Sequence, residues 1–357
     1  MTAPRRLDLS GDIISLTTAL CDIESVSGSE DSIADAVEEA LGRLPHLGLV
    51  RDGNTVVART DLGRSERVVL AGHLDTVPLT APPNLPVRRV DDDLVGRGTV
   101  DMKGGVAVQL RLAAQVREPV RDVTYVFYDC EEVDSARNGL ARIGRTSPQL
   151  LAGDFAVLLE PTDGAVEGGC KGTLRVDVTV TGVAAHSARP WNGRNAVHDA
   201  AVVLGRLTAY EAQEVEVDGL RYHEAINAVG IRGGIAGNVI PDSCVVSVNY
   251  RFAPDKSGEQ ALKHVRELFD GYAVSLTDSA DGARPGLHLP AARSFVEALG
   301  VPVRPKEGWT DVARFSELGI PAVNFGPGDP NLAHADGERC PVQQLLACEA
   351  AMLRWLA

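Results

Sequence analysis

Four short apolar runs that do not alternate with polar residues constrain the fold of this chain more than any other feature. The runs are rich in β-branched and aromatic residues and are bounded by polar or glycine-containing turns. Strands of this kind are buried on both faces, as in a parallel sheet covered by helices. Segments with helical periodicity lie between them, so the sequence predicts an α/β fold with a mostly parallel twisted sheet flanked by helices. The runs are Arg67–Ala71, Val123–Tyr128, Phe155–Leu159 and Pro321–Phe325.

A second pattern occupies residues 172–286. Here Leu174–Val180 and Cys244–Phe252 alternate apolar and polar residues, which is typical of a sheet with one face in water. Helical periodicity near Asn195–Leu207 and Ser257–Phe269 completes an α+β unit. The chain has 357 residues, enough for about two domains. We therefore predict a discontinuous α/β domain formed by residues 1–171 and 287–357, with an α+β domain inserted at 172–286.

Composition excludes several classes of partner. The formal net charge of -14 argues against binding to nucleic acid, because neutralising phosphates requires clustered lysine and arginine. No apolar run approaches the ~18 residues of a membrane helix, and the first residues lack the apolar stretch of a secretory signal. The six cysteines are scattered without a C-x-x-C pair, which favours reduced thiols. We expect a cytoplasmic protein without a membrane partner.

Side chains able to bind a metal ion follow each of the four runs, where the predicted strands end. The first run leads into His73, the second into the Glu131–Glu132 pair and the third into Glu160, while His334 stands several residues after the fourth. The carboxyl ends of parallel strands meet at one edge of a sheet, where ligands bind in open α/β folds. We therefore expect these side chains to lie close together.

A glycine-rich turn that opens a predicted helix adds a further candidate, Asp101, in the motif GTVDMKGG at 98–105. Two histidines and three or four carboxylates, without cysteine, form a ligand set for Zn²⁺ or a similar divalent ion. Five protein ligands exceed what one catalytic zinc normally takes. A bridging carboxylate such as Asp101 would let the set hold two metal ions about 3.5–4 Å apart.

Two metals would lower the pKa of a shared water, and the spare carboxylate of the Glu131–Glu132 pair would then accept its proton. Asp75, two residues from His73, could orient the imidazole of that histidine. Taken singly, a histidine or glutamate after a strand is more often a helix cap or a surface residue. The occurrence of five such positions at one predicted sheet edge is what favours a metal centre.

The motifs GHLDTVP (72–78), GTVDMKGG (98–105), Glu131–Glu132, Glu160–Pro161 and the late His334 occur in an order that spans nearly the whole chain. In this the chain resembles the zinc-dependent aminoacylase and carboxypeptidase-type metallopeptidases. The resemblance implies two divalent ions per subunit, Zn²⁺ or alternatively Co²⁺. It also implies that His73 and Glu160 hold one ion, that Glu132 and His334 hold the other, and that Asp101 bridges them. Glu131 would be the general base, and the Asp101–Met102 peptide bond would be cis.

The resemblance also implies that the inserted domain forms a homodimer. Within it, the segment GVAAHSA (182–188) is similar to the family segment whose histidine, here His186, enters the active site of the partner subunit. That histidine would stabilise the oxyanion of the tetrahedral intermediate. Asn238 and Arg251 resemble substrate contacts of the family, and the fork of an arginine suits a carboxylate. The substrate would be a small anionic N-acyl amino acid.

Within the family, the segments around Gly308–Phe315 and Gly326–His334 look most like succinyl-diaminopimelate desuccinylases of actinobacterial type. Those enzymes hydrolyse N-succinyl-LL-2,6-diaminopimelate to succinate and LL-2,6-diaminopimelate, and Arg314 and Lys171 would help bind this polyanion. Trp309 and Cys170 depart from many relatives, which leaves the acyl group open. The alternatives are a related deacylase such as acetylornithine deacetylase, or a metallodipeptidase or carboxypeptidase.

Overall fold

The computed structural model describes residues 6–357; residues 1–5, part of the N-terminal segment considered above, lie outside the described residues. The strands, in chain order, are β1 (Gly48–Asp52), β2 (Thr55–Arg59), β3 (Arg67–His73), β4 (Arg88–Val90), β5 (Asp93–Val95), β6 (Asp122–Tyr128), β7 (Phe155–Leu158), β8 (Val166–Gly168), β9 (Gly172–Thr181), β10 (Ala185–His186), β11 (Glu214–Val217), β12 (Leu220–His223), β13 (Ala225–Gly233), β14 (Val239–Ile240), β15 (Ser243–Phe252), β16 (Ala273–Ala280), β17 (Val303–Pro305), β18 (Ala322–Asn324) and β19 (Arg339–Pro341). The α-helices are α1 (Ile13–Cys21), α2 (Asp31–Leu41), α3 (Lys103–Gln115), α4 (Gly139–Thr146), α5 (Ala196–Thr208), α6 (Gly258–Leu268), α7 (Pro290–Leu299), α8 (Val312–Glu317) and α9 (Val342–Leu356).

The chain divides into two compact units. The first comprises the chain up to Gly168 together with Pro285–Arg304 and Arg314–Ala357, and the second comprises Gly169–Arg284 and Pro305–Ala313. The short segment 305–313 therefore belongs to the second unit, whereas the sequence analysis placed it in the first. Its contacts explain the difference, because Glu307 forms an ion pair with Lys171 at 2.6 Å.

An eight-stranded sheet with the order β1-β2-β6-β3-β7-β18-β8-β17 forms the centre of the first unit. The four neighbours β6, β3, β7 and β18 pair in parallel, and they are the four apolar runs of the sequence. Antiparallel pairing begins where this group ends, between β2 and β6 on one side and between β8 and β18 on the other. The predicted α/β class is confirmed, with its parallel part at the centre of the sheet.

Helix α3 shows why the central strands carry so little polar sequence. It packs against β3, α1 and α9, and most of its residues are buried. Its one buried amide, Gln109 Nε2, donates to the backbone oxygens of Leu70 at 2.8 Å and Val126 at 3.0 Å. These two hydrogen bonds connect the helix to β3 and β6, although Gln109 Oε1 is buried without a hydrogen-bond partner among residues 6–357.

The second unit contains a four-stranded antiparallel sheet with the order β13-β15-β9-β16. Burial alternates along β9 and β15, whose apolar side chains pack with residues of α5 and α6 in one core. Helix α6 begins with a capping box between Ser257 and Gln260. Strand β13 lies at the edge of the sheet and exposes Val229 and Ile231, by 63% and 55%.

None of the helices within residues 6–357 combines the length and the hydropathy that a membrane crossing requires. All six cysteines are free and buried.

Candidate metal centre

Strand β3 ends at His73 and so delivers an imidazole to the carboxyl edge of the parallel strands. The ring is buried, with Nδ1 3.0 Å from the backbone oxygen of Asp75 and Nε2 3.1 Å from Asp101 Oδ1. Because a carbonyl oxygen only accepts, Nδ1 carries a proton in this contact. Nε2 faces the carboxylates and is the ring nitrogen that would bind a metal ion, which is the arrangement of a metal-binding histidine.

Asp75 connects this histidine to the turn that follows β6. Its buried carboxylate accepts the backbone N–H of Glu131 at 3.0 Å and that of Glu132 at 3.1 Å. It also accepts the hydroxyl of Ser27 at 2.6 Å and lies 3.5 Å from His73 Nδ1. Burial alone would raise the pKa of Asp75, but the imidazole of His73 and the other donors outweigh burial and lower it. One carboxylate thus orients the imidazole and both glutamates.

Asp101 lies in the turn before α3, at the cis peptide bond with Met102 that the resemblance predicted. The turn is held by Glu338, whose Oε1 accepts the backbone N–H groups of Val100 at 3.0 Å and Asp101 at 3.2 Å. The other oxygen of Glu338 pairs with the buried Arg97 at 2.8 Å. The position of Asp101 is therefore fixed by a buried ion pair.

A second histidine reaches the opposite side of Asp101. His334 Nε2 lies 3.3 Å from Asp101 Oδ2 and 2.9 Å from Glu132 Oε1. Hydrogen bonds to Asp101 and Glu132 raise the pKa of His334 to about 10. The pKa of His73 is also raised, since Asp101 and Asp75 outweigh the opposing effect of its burial. A site that stabilises positive charge on two imidazoles so strongly suits a cation.

Glu160 lies two residues after the end of β7 and is buried. The start of α3 can approach it closely because residue 105 is glycine: a Cβ there would collide with the backbone oxygen of Leu159. This close packing brings Asp101 and Glu160 to the same point. Ligand atoms of His73, Asp101 and Glu160 lie within 4.8 Å of one another.

Two groups of possible ligands share one carboxylate. The first is His73, Asp101 and Glu160, and the second is Asp101, Glu132 and His334, with ligand atoms again within 4.8 Å. Oxygen and imidazole nitrogen donors of this kind bind zinc and related ions, and a carboxylate common to two groups fits a bridge. Glu131 belongs to neither group, but its carboxylate lies near His73 and Glu132 in a third. The residues present therefore fit a pair of divalent ions.

Sequence analysis missed the residues that support the ligands. Glu30 is buried, and its Oε1 accepts the backbone N–H of Cys130 at 3.2 Å and that of Gly28 at 2.7 Å. Cys130 has a positive φ of 59°, so the Glu30 contact stabilises a turn that the backbone does not favour by itself. Neither Glu30 nor Glu338 stands in a motif, and no local pattern singles them out.

The predicted contacts His186 and Asn238 lie in the second unit and are neighbours there. Strand β10 pairs with β14, which sets His186 opposite Val239, and the backbone N–H of Ser187 donates to Asn238 O at 2.9 Å. The ring of His186 is exposed, and its Nδ1 accepts the N–H of Ala188 at 3.0 Å. In the neutral ring the proton must then be on Nε2, which is left as a donor.

The other predicted substrate contacts have protein partners of their own. Lys171 is buried in the second unit, paired with Glu307, and donates to His223 O at 2.5 Å. Arg251 is half-buried on β15 and donates to Asn249 Oδ1 at 3.1 Å. Burial is the main reason that the pKa of Arg251 is lowered. Arg314, in the first unit, lies 3.5 Å from Glu317.

Comparison with known proteins decides the family. Peptidase family M20/M25/M40 matches residues 69–357 of the chain. The chain belongs to this family. The predicted resemblance is confirmed, and hydrolysis of an amide bond is the reaction class of a peptidase family.

Two curated relatives match almost the full length. A Corynebacterium glutamicum protein named succinyl-diaminopimelate desuccinylase is 46% identical, over 98% of this chain and 98% of its own. A Mycobacterium tuberculosis (strain H37Rv) protein provisionally named succinyl-diaminopimelate desuccinylase DapE is 56% identical, over 98% and 99%. A solved tripeptidase from Staphylococcus aureus has a TM-score of 0.80 at 21% identity, covering 96% of each chain. A Bacillus subtilis M20 protein described as a dinuclear metal-binding peptidase has a TM-score of 0.68 at 16% identity, covering 96% of each. At these identities the structural matches show the fold alone.

Proposed function

We propose that this chain hydrolyses N-succinyl-LL-2,6-diaminopimelate to succinate and LL-2,6-diaminopimelate. The observation that carries the proposal is the 46% identity, over 98% of both chains, to a protein named for that reaction. Two ligand groups that share Asp101 support it, because an amide hydrolase of this kind needs metal ions at the reacting carbonyl. The six unpaired cysteines suit a reducing compartment, and we place the reaction in the cytoplasm.

His73 and Glu160 would hold one ion, Glu132 and His334 the other, and Asp101 both. We propose Zn²⁺, with Co²⁺ as the alternative. When bound, the ions supply Lewis acidity and an activated water. Glu160 and His73 are buried, whereas His334 is exposed, so the two positions differ in their access to solvent.

Glu131 is the residue we assign to proton transfer. It is adjacent to the ligand Glu132 but absent from the two groups that share Asp101, so its carboxylate remains available as a base. The hydrogen bond from its backbone N–H to Asp75 fixes the position of the backbone from which the side chain extends. Glu131 would take a proton from the attacking water and return it to the leaving amine.

The second unit would supply the oxyanion contact from a partner subunit. Several apolar side chains of this unit are exposed, which supports a dimer formed through it. Examples are Ile231 on β13, Ile235 in the loop after β13 and Val202 on α5. His186 Nε2 would donate to the oxyanion, beside Asn238. Mixing inactive Glu131→Gln subunits with inactive His186→Ala subunits should restore up to about a quarter of the activity. About half of the dimers are then mixed, and each mixed dimer has one intact site out of two. No recovery, in mixtures shown to exchange subunits, would contradict a histidine supplied in trans.

Arg251 is our candidate for a substrate carboxylate, because its fork is half-buried and, among residues 6–357, donates only to the amide oxygen of Asn249. Lys171 and Arg314 are weaker candidates, since each already has an acidic partner. We propose that Lys171 contributes by holding the segment around Glu307 in place.

The test is a substrate panel on metal-loaded protein: N-succinyl-LL-2,6-diaminopimelate, N-acetylornithine and a set of dipeptides. We expect kcat/KM for the succinyl substrate to exceed the others by at least ~100-fold, because buried charged contacts discriminate strongly against partners that leave them unpaired. Removing the metal with a chelator should abolish turnover, and adding Zn²⁺ or Co²⁺ should restore it. Faster hydrolysis of acetylornithine or of a dipeptide would replace the proposed substrate.

A further inference from the structure

The loop that contains Ser27 and Gly28 forms part of the surroundings of the metal centre. The hydroxyl of Ser27 donates to Asp75 Oδ2 at 2.6 Å, and the backbone N–H of Gly28 donates to Glu30 Oε1 at 2.7 Å. The same oxygen of Glu30 accepts the N–H of Cys130, the residue before Glu131. Two hydrogen-bonded links therefore join this loop to Asp75 and to the turn that precedes Glu131.

Arg137 lies against this loop. It belongs to the segment between Glu132 and α4, where its backbone N–H donates to Asp134 O at 2.9 Å. Its guanidinium rests on Gly28: a Cβ at that position would collide with Arg137 Nη2. Gly28 also has a positive φ of 92°, so glycine is favoured there by conformation as well as by space. The segment after Glu132 thus places a guanidinium against the loop whose Ser27 hydrogen-bonds to Asp75.

The guanidinium has nothing to bind within the part of the chain that the structure describes. Across residues 6–357, it has no hydrogen-bond acceptor and no ion-pair partner, and Arg137 is exposed. Arg142, five residues on, contrasts with it by binding Asp52 at 2.8 Å and Asp129 at 2.9 Å. Acidic residues outnumber basic ones by 49 to 35, so acceptors are plentiful in this chain. An exposed arginine without an acceptor, held against a loop that hydrogen-bonds to Asp75, is available to bind an anion from solution.

We propose that Arg137 binds a substrate carboxylate remote from the amide that is hydrolysed. The planar fork of arginine accepts a carboxylate through two parallel hydrogen bonds, and the surface of Gly28 restricts the side chain before substrate arrives. This inference rests on the proposed function, whose substrate offers two such groups: the free carboxylate of the succinyl chain and the carboxylate at the far end of diaminopimelate. Arg137 would act in substrate selection, since within residues 6–357 its side chain forms no hydrogen bond or ion pair with the ligands or with Glu131.

The test compares Arg137→Ala with wild type on three substrates. The first is the full substrate, N-succinyl-LL-2,6-diaminopimelate. The second, N-butyryl-LL-2,6-diaminopimelate, lacks the succinyl carboxylate. The third, L-lysine succinylated on its α-amine, lacks the carboxylate at the far end of diaminopimelate. For the full substrate we expect KM to rise about 10- to 100-fold with kcat nearly unchanged, because a contact kept through the reaction contributes uniform binding. On the analogue that lacks the bound carboxylate, wild type and variant should have equal KM. The analogue on which the two proteins have equal KM therefore identifies the carboxylate that Arg137 binds.

Two further variants separate binding from folding. Arg137→Lys keeps the charge but loses the fork, and its KM should fall between those of wild type and Arg137→Ala. Arg117→Ala removes an exposed arginine from the segment before β6, at the opposite end of that strand, and should leave KM unchanged on all three substrates. An equal rise in KM on all three substrates, or none on any, would overturn the assignment of Arg137 while the proposed function stands. A wild-type protein inactive on every substrate would instead remove the proposed function, and this inference with it.

Discussion

Strand β6 has acidic side chains at both ends, and their surroundings are opposite in kind. At its start, Asp122 is buried among donors: the hydroxyl of Thr60 at 2.7 Å and the backbone N–H groups of Leu62 and Arg64, each at 2.9 Å. Just beyond its other end, the carboxylates of Glu131 and Glu132 lie among an imidazole and each other. One end surrounds its acid with protein donors, whereas the glutamates beyond the other end lie within ligand distance of an imidazole and of each other.

The difference separates stability from function within a single strand. A carboxylate surrounded by fixed donors is stabilised in its charged form and contributes to folding. Carboxylates crowded together repel one another and cost free energy until a metal ion is bound, which is how active sites are commonly built. Substitutions near the glutamates should therefore change turnover, whereas substitution of Asp122 should change the free energy of unfolding.

The largest effect is expected from Glu131→Gln. This substitution keeps the size of the side chain and removes the base, so kcat should fall about 10²- to 10⁴-fold. Both metal ions should remain, because Glu131 is absent from the two groups that share Asp101. Metal content of the purified variant, measured beside kcat, checks both statements. Loss of one metal together with the side chain would show that Glu131 is a ligand, and Glu132 would become the candidate base.

A smaller loss is expected from Asp75→Asn. Each oxygen of Asp75 accepts a backbone N–H from the Glu131–Glu132 turn, and an asparagine has only one acceptor oxygen for these donors. Metal affinity or activity should fall about 10- to 100-fold, as for other residues that orient metal ligands. Chelator competition measures the affinity. Ser27→Ala keeps both oxygens of Asp75 and removes a single donor, so it is the matched control and should lose less than about tenfold. An Asp75→Asn protein with wild-type affinity and rate would mean that the turn holds its shape without the carboxylate.

How far the sequence predicts these features depends on the range of the contacts. The four parallel strands were predictable because burial on both faces leaves uninterrupted apolar runs, as in β6 and β7. The ligands were predictable because they follow the strand ends, whereas the assignment of Glu131 as base and Glu132 as ligand came from the resemblance. Strand β13 was not predicted, because most of its residues are exposed on an edge strand and no apolar pattern marks it.

The residues that hold the ligand-bearing turns could not be predicted, because their hydrogen-bond partners are far away along the chain. Glu30 acts on Cys130, 100 residues later, and Glu338 acts on Val100, 238 residues earlier. Lys171 was expected to bind substrate, but the pairing of a buried lysine with Glu307 depends on the tertiary placement of segment 305–313. Asp122 was likewise not predicted to matter, because an aspartate at the first position of a strand carries no local signal for the three donors that surround it.

The smallest effect on turnover, and a clear one on stability, is expected from Asp122→Asn. Burial raises the pKa of Asp122, but the donors Leu62, Thr60 and Arg64 outweigh burial and lower it to about 2. A carboxyl pKa lowered from 3.8 to about 2 corresponds to about 2 kcal/mol of native-state stability at pH 7. We expect urea unfolding at pH 7 to show that loss in the variant, with kcat unchanged.

The pH dependence of this loss identifies its cause. Because the folded-state pKa of Asp122 lies below the unfolded value, the stabilisation is fully present above the unfolded pKa and is lost as pH falls through about 2. The difference in unfolding free energy between wild type and Asp122→Asn should therefore shrink steadily as the pH is lowered from 5 towards 2. Asp61→Asn, a neighbouring exposed carboxylate, should show no difference at either pH. If the Asp122→Asn difference stays constant with pH, the carboxylate at this end of β6 contributes by packing and not by charge, and the contrast between the two ends of the strand would be lost.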